Sequence, residues 1–186
     1  MDTMAKQAPQ TSLRFIQSPR LNLIAATAEL VRKDIEGREH LAEALGVEVP
    51  ESWPPDLYGP RAMQFSLAQL DKPSEQGWSF WYLATSGDNS ELVGICGFKG
   101  RPDESGSVEI GYSILSRFQR QAFATEAVQR LVGWAFSHHN VKEVCAETLP
   151  HLSQSISVLE KNGFQRAGAG SEAGVIRYAI KRSNLN

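Results

Sequence analysis

Residues 107–136 read SVEIGYSILSRFQRQAFATEAVQRLVGWAF, and this stretch determines the architecture that the rest of the chain must complete. Its first part, residues 107–115, alternates apolar and polar side chains, which predicts a half-buried strand. Further on, apolar side chains recur at steps of three and four, which predicts a helix with one buried face. These side chains are Ala124, Ala127, Val128, Leu131, Val132, Ala135 and Phe136. A strand, a short loop and a helix are therefore predicted in succession.

The flanking sequence predicts further strands and helices on both sides of this stretch. The elements predicted before it are a strand at 21–24, helical turns at 25–45 that break at Gly37, a helix at 61–70, and hairpin strands at 79–85 and 92–98. Those predicted after it are a strand at 141–147, a helix at 153–162, and closing strands at 164–169 and 175–181. An antiparallel meander followed by helix crossovers predicts an α+β fold, with a mixed sheet of about seven strands and helices on both faces.

Length and composition exclude several classes of protein. The 186 residues suit one domain, so we expect a disordered tail at 1–11 and a single domain at 12–186. A formal charge of −2 and a pI of about 6.1 give no field that would draw the chain onto nucleic acid or an anionic membrane. Cys96 and Cys145 are isolated, and no signal or membrane-spanning pattern is present. We therefore expect a cytoplasmic protein that uses no metal.

The loop between the predicted strand and helix, residues 119–125, has the features of a phosphate site. The small side chains of Ala122 and Ala124 allow a ligand oxygen to approach the free amides of the first helical turn. The helix dipole and Arg120 add positive charge at the same place. In the preceding strand, Gly111 indicates either a bulge or a close backbone approach, and either would separate this strand from a neighbour.

Three ordered motifs resemble those of the GNAT acetyltransferase superfamily. They are EIGY at 109–112, FQRQAFATEA at 118–127 and SISVLEKNGF at 155–164. The opening SPRLNL at 18–23 resembles, more narrowly, the branch that holds the RimJ- and RimL-like ribosomal-protein N-terminal acetyltransferases. The resemblance covers about residues 18–181. It implies a sheet splayed between its fourth and fifth strands, at 107–115 and 141–147.

The resemblance also implies that acetyl-CoA is the cosubstrate and that it binds where these two strands separate. The implied cofactor-binding residues are Tyr112, Ser113, Ile114, Leu115, Gln119, Arg120, Gln121, Ala122, Phe123, Ala124, Thr125, Ser155 and Lys161. Two positions depart from the family's pattern, since Ala122 replaces a glycine and Leu152 replaces an asparagine. We expect a helix-start conformation at residue 122, which alanine tolerates, so that pyrophosphate binding is weakened but retained.

Catalysis in this family is direct attack of an amine on the thioester in a ternary complex, which requires a neutral amine and a proton for the departing thiolate. Ser155 matches the serine that this branch assigns to the thiolate, and Leu159 stands where many relatives have a tyrosine. The base remains open among Glu109, Glu172 and water. An α-amine loses its proton more readily than lysine, so an α-amine or another low-pKa amine is the expected acceptor.

Two functional hypotheses follow from the resemblance. The first is an acetyl-CoA-dependent N-acetyltransferase that acts on a protein N-terminus or on a small-molecule amine. The second is a module of the same fold that holds an acyl-CoA without turnover and regulates a partner. In either case the chain is expected to be a monomer or a homodimer.

Overall fold

The computed structural model describes residues 14–185, which form one eight-stranded mixed sheet and five α-helices. The strands are β1 Phe15–Gln17, β2 Leu21–Ala25, β3 Phe80–Thr85, β4 Leu92–Phe98, β5 Ser107–Ile114, β6 Glu143–Thr148, β7 Gln165–Ala169 and β8 Ile176–Lys181. The helices are α1 Ala28–Glu36, α2 Arg38–Leu45, α3 Pro60–Leu70, α4 Phe123–Phe136 and α5 Ser153–Lys161. The order of strands across the sheet is β1-β2-β3-β4-β5-β6-β8-β7.

The predicted α+β class and mixed sheet are confirmed, but the prediction of about seven strands is corrected to eight. The additional strand is β1, which has three residues and pairs only with β2 at the edge of the sheet. Three residues are too few to show an alternating pattern, so the sequence did not reveal it. The predicted tail at 1–11 lies outside the described residues.

Strands β5 and β6 separate along their length, as the resemblance implied. They run parallel and pair over only three residues of each strand, ending with the pair of Glu109 and Cys145. Beyond this pair, β5 continues to Ile114 and β6 to Thr148 with no pairing between them. We call the gap between these two strand ends the splay. Backbone groups that face the gap have no partner in the other strand and are available to a ligand.

Gly111 lies beside the splay, and the bulge or close approach expected there is absent. The ladder between β4 and β5 is continuous through the pair of Gly97 and Gly111. Among the described residues, no atom beyond its chain neighbours lies within 4 Å of the place where a Gly111 Cβ would stand. A bulge at Gly111 is therefore not the cause of the splay. Gly111 instead leaves open space on one face of the sheet.

Two hydrophobic cores hold the helices against opposite faces of the sheet. On one face, α4 buries Leu131 and Phe136 in the core that contains Trp81 of β3. On the other face, the core formed with α1, α2 and α3 contains Leu41 and Met63. Alternation along the strands assigns neighbouring residues to opposite cores. The sheet that contains the splay is thus packed against helices on both faces.

The second core contains a buried carboxylate, Asp34 of α1. Its oxygens accept hydrogen bonds from Trp53 Nε1 at 2.8 Å and from the Tyr82 hydroxyl at 3.0 Å. Burial raises the pKa of Asp34, although the bonds from Trp53 and Tyr82 oppose the rise. Because Trp53 belongs to the loop before α3 and Tyr82 to β3, this cluster ties the loop and α1 to the sheet.

Candidate active site

A cleft of about 830 Å³ opens at the splay, between the end of β5, the loop 119–122 and the first turns of α4 and α5. The predicted cofactor residues that line it are Tyr112, Ser113, Ile114, Gln119, Arg120, Ala122, Phe123, Ala124, Thr125, Ser155 and Lys161. Two predicted residues do not line it. Leu115 is buried in the second core, and Gln121 is exposed with its side chain bonded to the Arg117 carbonyl at 2.9 Å. The fold thus brings most of the predicted residues to one place.

The loop before α4 has a conformation that the sequence analysis did not expect. Ala122 has φ 64° and ψ 13°, and Arg120 has φ 62°, so both residues lie in the left-handed region. The expected helix-start conformation at residue 122 was therefore wrong. Alanine adopts this conformation at a cost of about 1–2 kcal/mol, which explains the glycine in the family's pattern.

The first turn of α4 presents its amides to the cleft. The N–H groups of Phe123, Ala124 and Thr125 have no partner within the helix, and they donate no backbone bond to the other described residues. The cleft lining includes Arg120, Lys161 and His151, and no aspartate or glutamate from residues 14–185. Free amides, a helix N-terminus and cationic side chains together suit the phosphates of a nucleotide.

A brace from the start of the chain holds this loop, and sequence reasoning missed its role. Arg20 donates to the Gln121 carbonyl at 2.9 Å and forms an ion pair of 2.7 Å with Glu126 in the first turn of α4. The Ser18 hydroxyl donates to the same carboxylate at 2.6 Å. Burial alone would raise the pKa of Glu126, but these bonds outweigh it and the pKa is lowered. The brace keeps the strained loop in place.

Ser155 stands in the first turn of α5 and forms a hydroxyl pair with Tyr112 of β5. The Ser155 Oγ and the Tyr112 hydroxyl oxygen are 3.1 Å apart, and the Tyr112 hydroxyl also donates to the Ser155 carbonyl at 3.1 Å. Burial raises the pKa of Tyr112 to about 12, so its hydroxyl stays protonated at neutral pH. The pair connects the two walls of the cleft and fixes the Ser155 side chain. Between the two hydroxyls, either oxygen could be the donor.

Leu152 precedes α5 and lies on the cleft wall with 44% of its surface exposed. It occupies the N-cap position, and no side chain caps the helix there. An asparagine at this position would offer a capping oxygen and a polar group for a ligand. The departure at residue 152 therefore removes one hydrogen-bonding group from the cleft.

The two glutamates predicted as bases lie away from the cleft lining. Glu109 is at the last pair of the β5–β6 ladder, and its carboxylate forms an ion pair with Lys99. Glu172 is exposed in the turn between β7 and β8. Neither carboxylate lines the cleft, and their roles as bases stay predictions.

A third carboxylate, Glu147, lies at the splay and was not identified from the sequence. It is two residues beyond the last pair on β6, as Gly111 is on β5, so the two residues face each other across the gap. Its oxygens accept from the Ser171 amide at 2.8 Å and from the Ser171 hydroxyl at 2.6 Å. These bonds, the hydroxyl first, lower the pKa of Glu147 together with the nearby charges of Lys99 and Arg177, and they keep it ionised at neutral pH. Only the parallel register of β5 and β6 reveals this position.

Glu147 and Glu109 lie on the face of the sheet opposite to α4 and α5. By strand alternation, both glutamates share a face with Cys145, whose Sγ is 3.9 Å from the Ser107 hydroxyl. Val144 and Ala146 point to the other face, into the core beneath α4. The cleft and these carboxylates are thus on opposite sides of the splay. Among residues 14–185, no group of histidine, cysteine and acidic side chains is arranged to hold a metal ion.

The splayed mixed sheet, with a cleft of free amides and cationic side chains at the splay, can be compared with known proteins. Residues 29–165 match the family described as Acetyltransferase (GNAT) domain. The chain belongs to this family, and the predicted resemblance is confirmed. None of the helices in the described part of the chain is long and apolar enough to cross a membrane.

Individual relatives agree with this assignment. An uncharacterized N-acetyltransferase of Bacillus subtilis, YjdG, is 29% identical over 150 residues, which are 81% of this chain and 89% of YjdG. The ribosomal protein uS5-alanine N-acetyltransferase of Escherichia coli is 24% identical over 110 residues, which cover 59% of this chain and 57% of the relative. A RimL L7/L12 acetyltransferase solved with coenzyme A superposes with a TM-score of 0.63 at 18% identity, over 90% of this chain and 98% of that one. The chain is accordingly an N-acetyltransferase by family.

Proposed function

We propose that this protein transfers an acetyl group from acetyl-CoA to the α-amine of a peptide or to another primary amine of low pKa. One observation carries the proposal: free amides and cations lie on one side of the splay, and the Glu147 carboxylate lies on the other. The phosphates of acetyl-CoA suit the first side, and an ammonium group suits the second. The gap between β5 and β6 gives the thioester a route to the amine.

In the proposed reaction, the amine nitrogen attacks the thioester carbonyl carbon and the C–S bond then breaks. The Ser155 hydroxyl donates a hydrogen bond to the departing thiolate, and Tyr112 positions that hydroxyl. The nitrogen carries a positive charge after attack and loses one proton to Glu147, directly or through water. The products are the acetylated amine and the CoA thiol: the thiolate takes a proton from water, and Glu147 returns to water the proton that it gained.

The protonation state of the acceptor decides which amines react fastest. An α-amino group titrates near 7.7–8.0 and lysine near 10.4, so a far larger fraction of the α-amine is neutral at pH 7. Glu147 has a lowered pKa, which makes it a good partner for an ammonium group but a weak base toward lysine. We therefore expect α-amines to be preferred.

Release of the CoA thiol over a panel of amines tests the proposal. A peptide with a free α-amine should react at least about tenfold faster at pH 7 than the same peptide with an acetylated end and a free lysine. Glu147→Gln should lower kcat by about a hundredfold, with acetyl-CoA affinity unchanged. Glu172→Gln, in the neighbouring turn, is the matched control and should leave kcat within about twofold.

The alternative function, a binding module without turnover, predicts acetyl-CoA binding with no thiol release for any amine on the panel. A larger loss of kcat in Glu172→Gln than in Glu147→Gln would instead assign the base to the turn between β7 and β8. Either result would overturn a transfer reaction in which Glu147 is the base.

A further inference from the structure

A second cleft, of about 700 Å³, lies on the face of the sheet opposite to α4, between α3 and the strands β3 and β4. We call it the apolar groove. Its lining includes Leu57, Phe65, Phe80 and Ile95. Leu57 is 92% exposed and Phe65 is 66% exposed. Two large apolar side chains exposed at one concave surface are unusual in a soluble protein and indicate a surface that a ligand covers.

The apolar groove lies on the face of the sheet that carries Gly111 and Glu147, and it is close to the splay. Phe80 pairs with Gly97, and Gly97 pairs with Gly111 beside the splay. Two strand spacings separate Phe80 from Gly111, which is about 10 Å. A Cβ on Gly97 would stand 2.3 Å from the Phe80 Cα, so only glycine lets β3 pack this closely. The space above Gly111 is empty, so the path from the groove to the splay is open at its splay end.

The charges along this path change sign. The described residues that line the apolar groove include two cations, Arg61 and Lys99, and no carboxylate. Lys99 is paired with Glu109, whereas Arg61 is exposed on the first turn of α3. At the other end of the path stands the ionised Glu147. A ligand that fits both ends carries a cation at the splay, an apolar group in the groove and an anion near Arg61.

We propose that the acceptor is a peptide whose free amino end lies at the splay, whose third residue places a bulky apolar side chain in the apolar groove, and whose next carboxylate lies at Arg61. In an extended chain the first and third side chains point to the same face, and two residues span about 7 Å. A leucine or phenylalanine at the third position covers the remaining distance to Phe80. This inference rests on the proposed function and names the acceptor that the same site selects.

Tripeptides with free amino ends test the length and the chemistry of the acceptor. The peptide Ala-Ala-Phe should show a KM at least about tenfold lower than Ala-Ala-Ala, because its ring is removed from water. The peptide Ala-Phe-Ala should gain no such advantage, since its ring points away from the sheet. Amidation of the Ala-Ala-Phe carboxyl group should raise KM in the wild type and have no effect in Arg61→Gln.

Variants of the apolar groove and of Gly111 provide a second test of the proposal. Phe65→Ser should raise the KM of Ala-Ala-Phe by at least about fivefold and leave that of Ala-Ala-Ala unchanged. Phe15→Ser, at the distant strand β1, is the matched control because Phe15 is 48% exposed. Gly111→Ala should raise the KM of both peptides, whereas Gly133→Ala, also with open space around its Cβ, should alter neither.

Calorimetric titration of the same peptides into CoA-saturated protein separates this proposal from the proposed function. Binding that favours Ala-Ala-Phe and weakens in Phe65→Ser supports the apolar groove even if no peptide releases the CoA thiol, a result that would overturn only the proposed function. Turnover and binding that are equal for all three peptides, and unchanged in Phe65→Ser, would overturn the assignment of the groove while the acetyltransferase activity stands.

Discussion

The two faces of the sheet at the splay differ in the charge that they accept. On the face of α4 and α5, the cleft is lined by free amides, hydroxyls, Arg120 and Lys161, with no acidic side chain from the described residues. On the opposite face, Glu109 and Glu147 border the splay, with Lys99 paired to Glu109 and Arg177 paired to Glu143. The first face suits an anionic cofactor, and the second suits an ammonium group. Two reactants of opposite charge can thus approach one gap from opposite sides without competing for it.

The two faces also differ in how their geometry is held. On the cofactor face, the loop before α4 is strained at Ala122 and depends on the brace between Arg20 and Glu126. On the amine face, the buried Asp34 ties the loop before α3 to β3 through Trp53 and Tyr82. Backbone strain next to a ligand and a satisfied charge inside a core are both costs that the remainder of the fold offsets.

The largest expected effect comes from reversing the charge of the cofactor face. Ala122→Glu keeps a Cβ at the strained position but places a carboxylate beside the amides of α4. The Kd for acetyl-CoA, measured by calorimetry, should rise by well over tenfold because like charges repel at the phosphate site. Gln129→Glu, on the exposed face of the same helix, is the control, and equal affinities in both variants would refute the assignment of the loop.

The next effect compares the loss of kcat with the loss of acetyl-CoA affinity at Ser155, which lies between the two faces. Ser155→Ala should lower kcat by at least about tenfold while acetyl-CoA affinity changes by less than about threefold, because the hydroxyl acts mainly on the departing thiolate. Tyr112→Phe keeps the Ser155 hydroxyl and should cause a smaller loss of kcat. Equal losses of kcat and affinity in Ser155→Ala would mean that the serine only shapes the pocket.

A smaller effect measures the strain on the cofactor face. Ala122→Gly should increase the free energy of unfolding by about 0.5–1 kcal/mol, because relief of the steric cost at φ 64° outweighs the extra backbone entropy that glycine loses on folding. Ala68→Gly, on the exposed side of α3, should lower it by about 1 kcal/mol. Urea denaturation measures both values. A loss of stability in Ala122→Gly would show that the left-handed conformation carries no penalty.

The last effect concerns pH and the core beneath the amine face. Burial raises the pKa of Asp34 above its ordinary 3.8, so the folded protein binds more protons than the unfolded chain between pH 3.8 and the raised pKa. Asp34 therefore contributes more stability as the pH falls through that window, by at most about 1.4 kcal/mol for each pH unit crossed. The unfolding free energy of the wild type, relative to that of Asp34→Asn, should rise as the pH is lowered from 7 toward 3.8. A constant difference would contradict the raised pKa.

Periodicity in the sequence predicted the strands and helices well, because each element buries one face. The predicted strand at 92–98 has the same bounds as β4, and the helix predicted at 153–162 ends one residue later than α5. The left-handed Ala122 was missed because the preceding residue, Gln121, is held by the distant Arg20, a contact that no local pattern contains. Glu147 was missed for a similar reason, since only the register between β5 and β6 places it opposite Gly111.

The measurement that tests the account most directly is a crystal structure of the protein with acetyl-CoA bound. The account predicts the pyrophosphate at the amides of Phe123, Ala124 and Thr125, with the acetyl group in the splay between Gly111 and Glu147. The thioester sulfur should lie within hydrogen-bonding distance of the Ser155 hydroxyl. An acetyl group that points away from the splay, or a cofactor seated in the apolar groove, would contradict the assignment of the two faces.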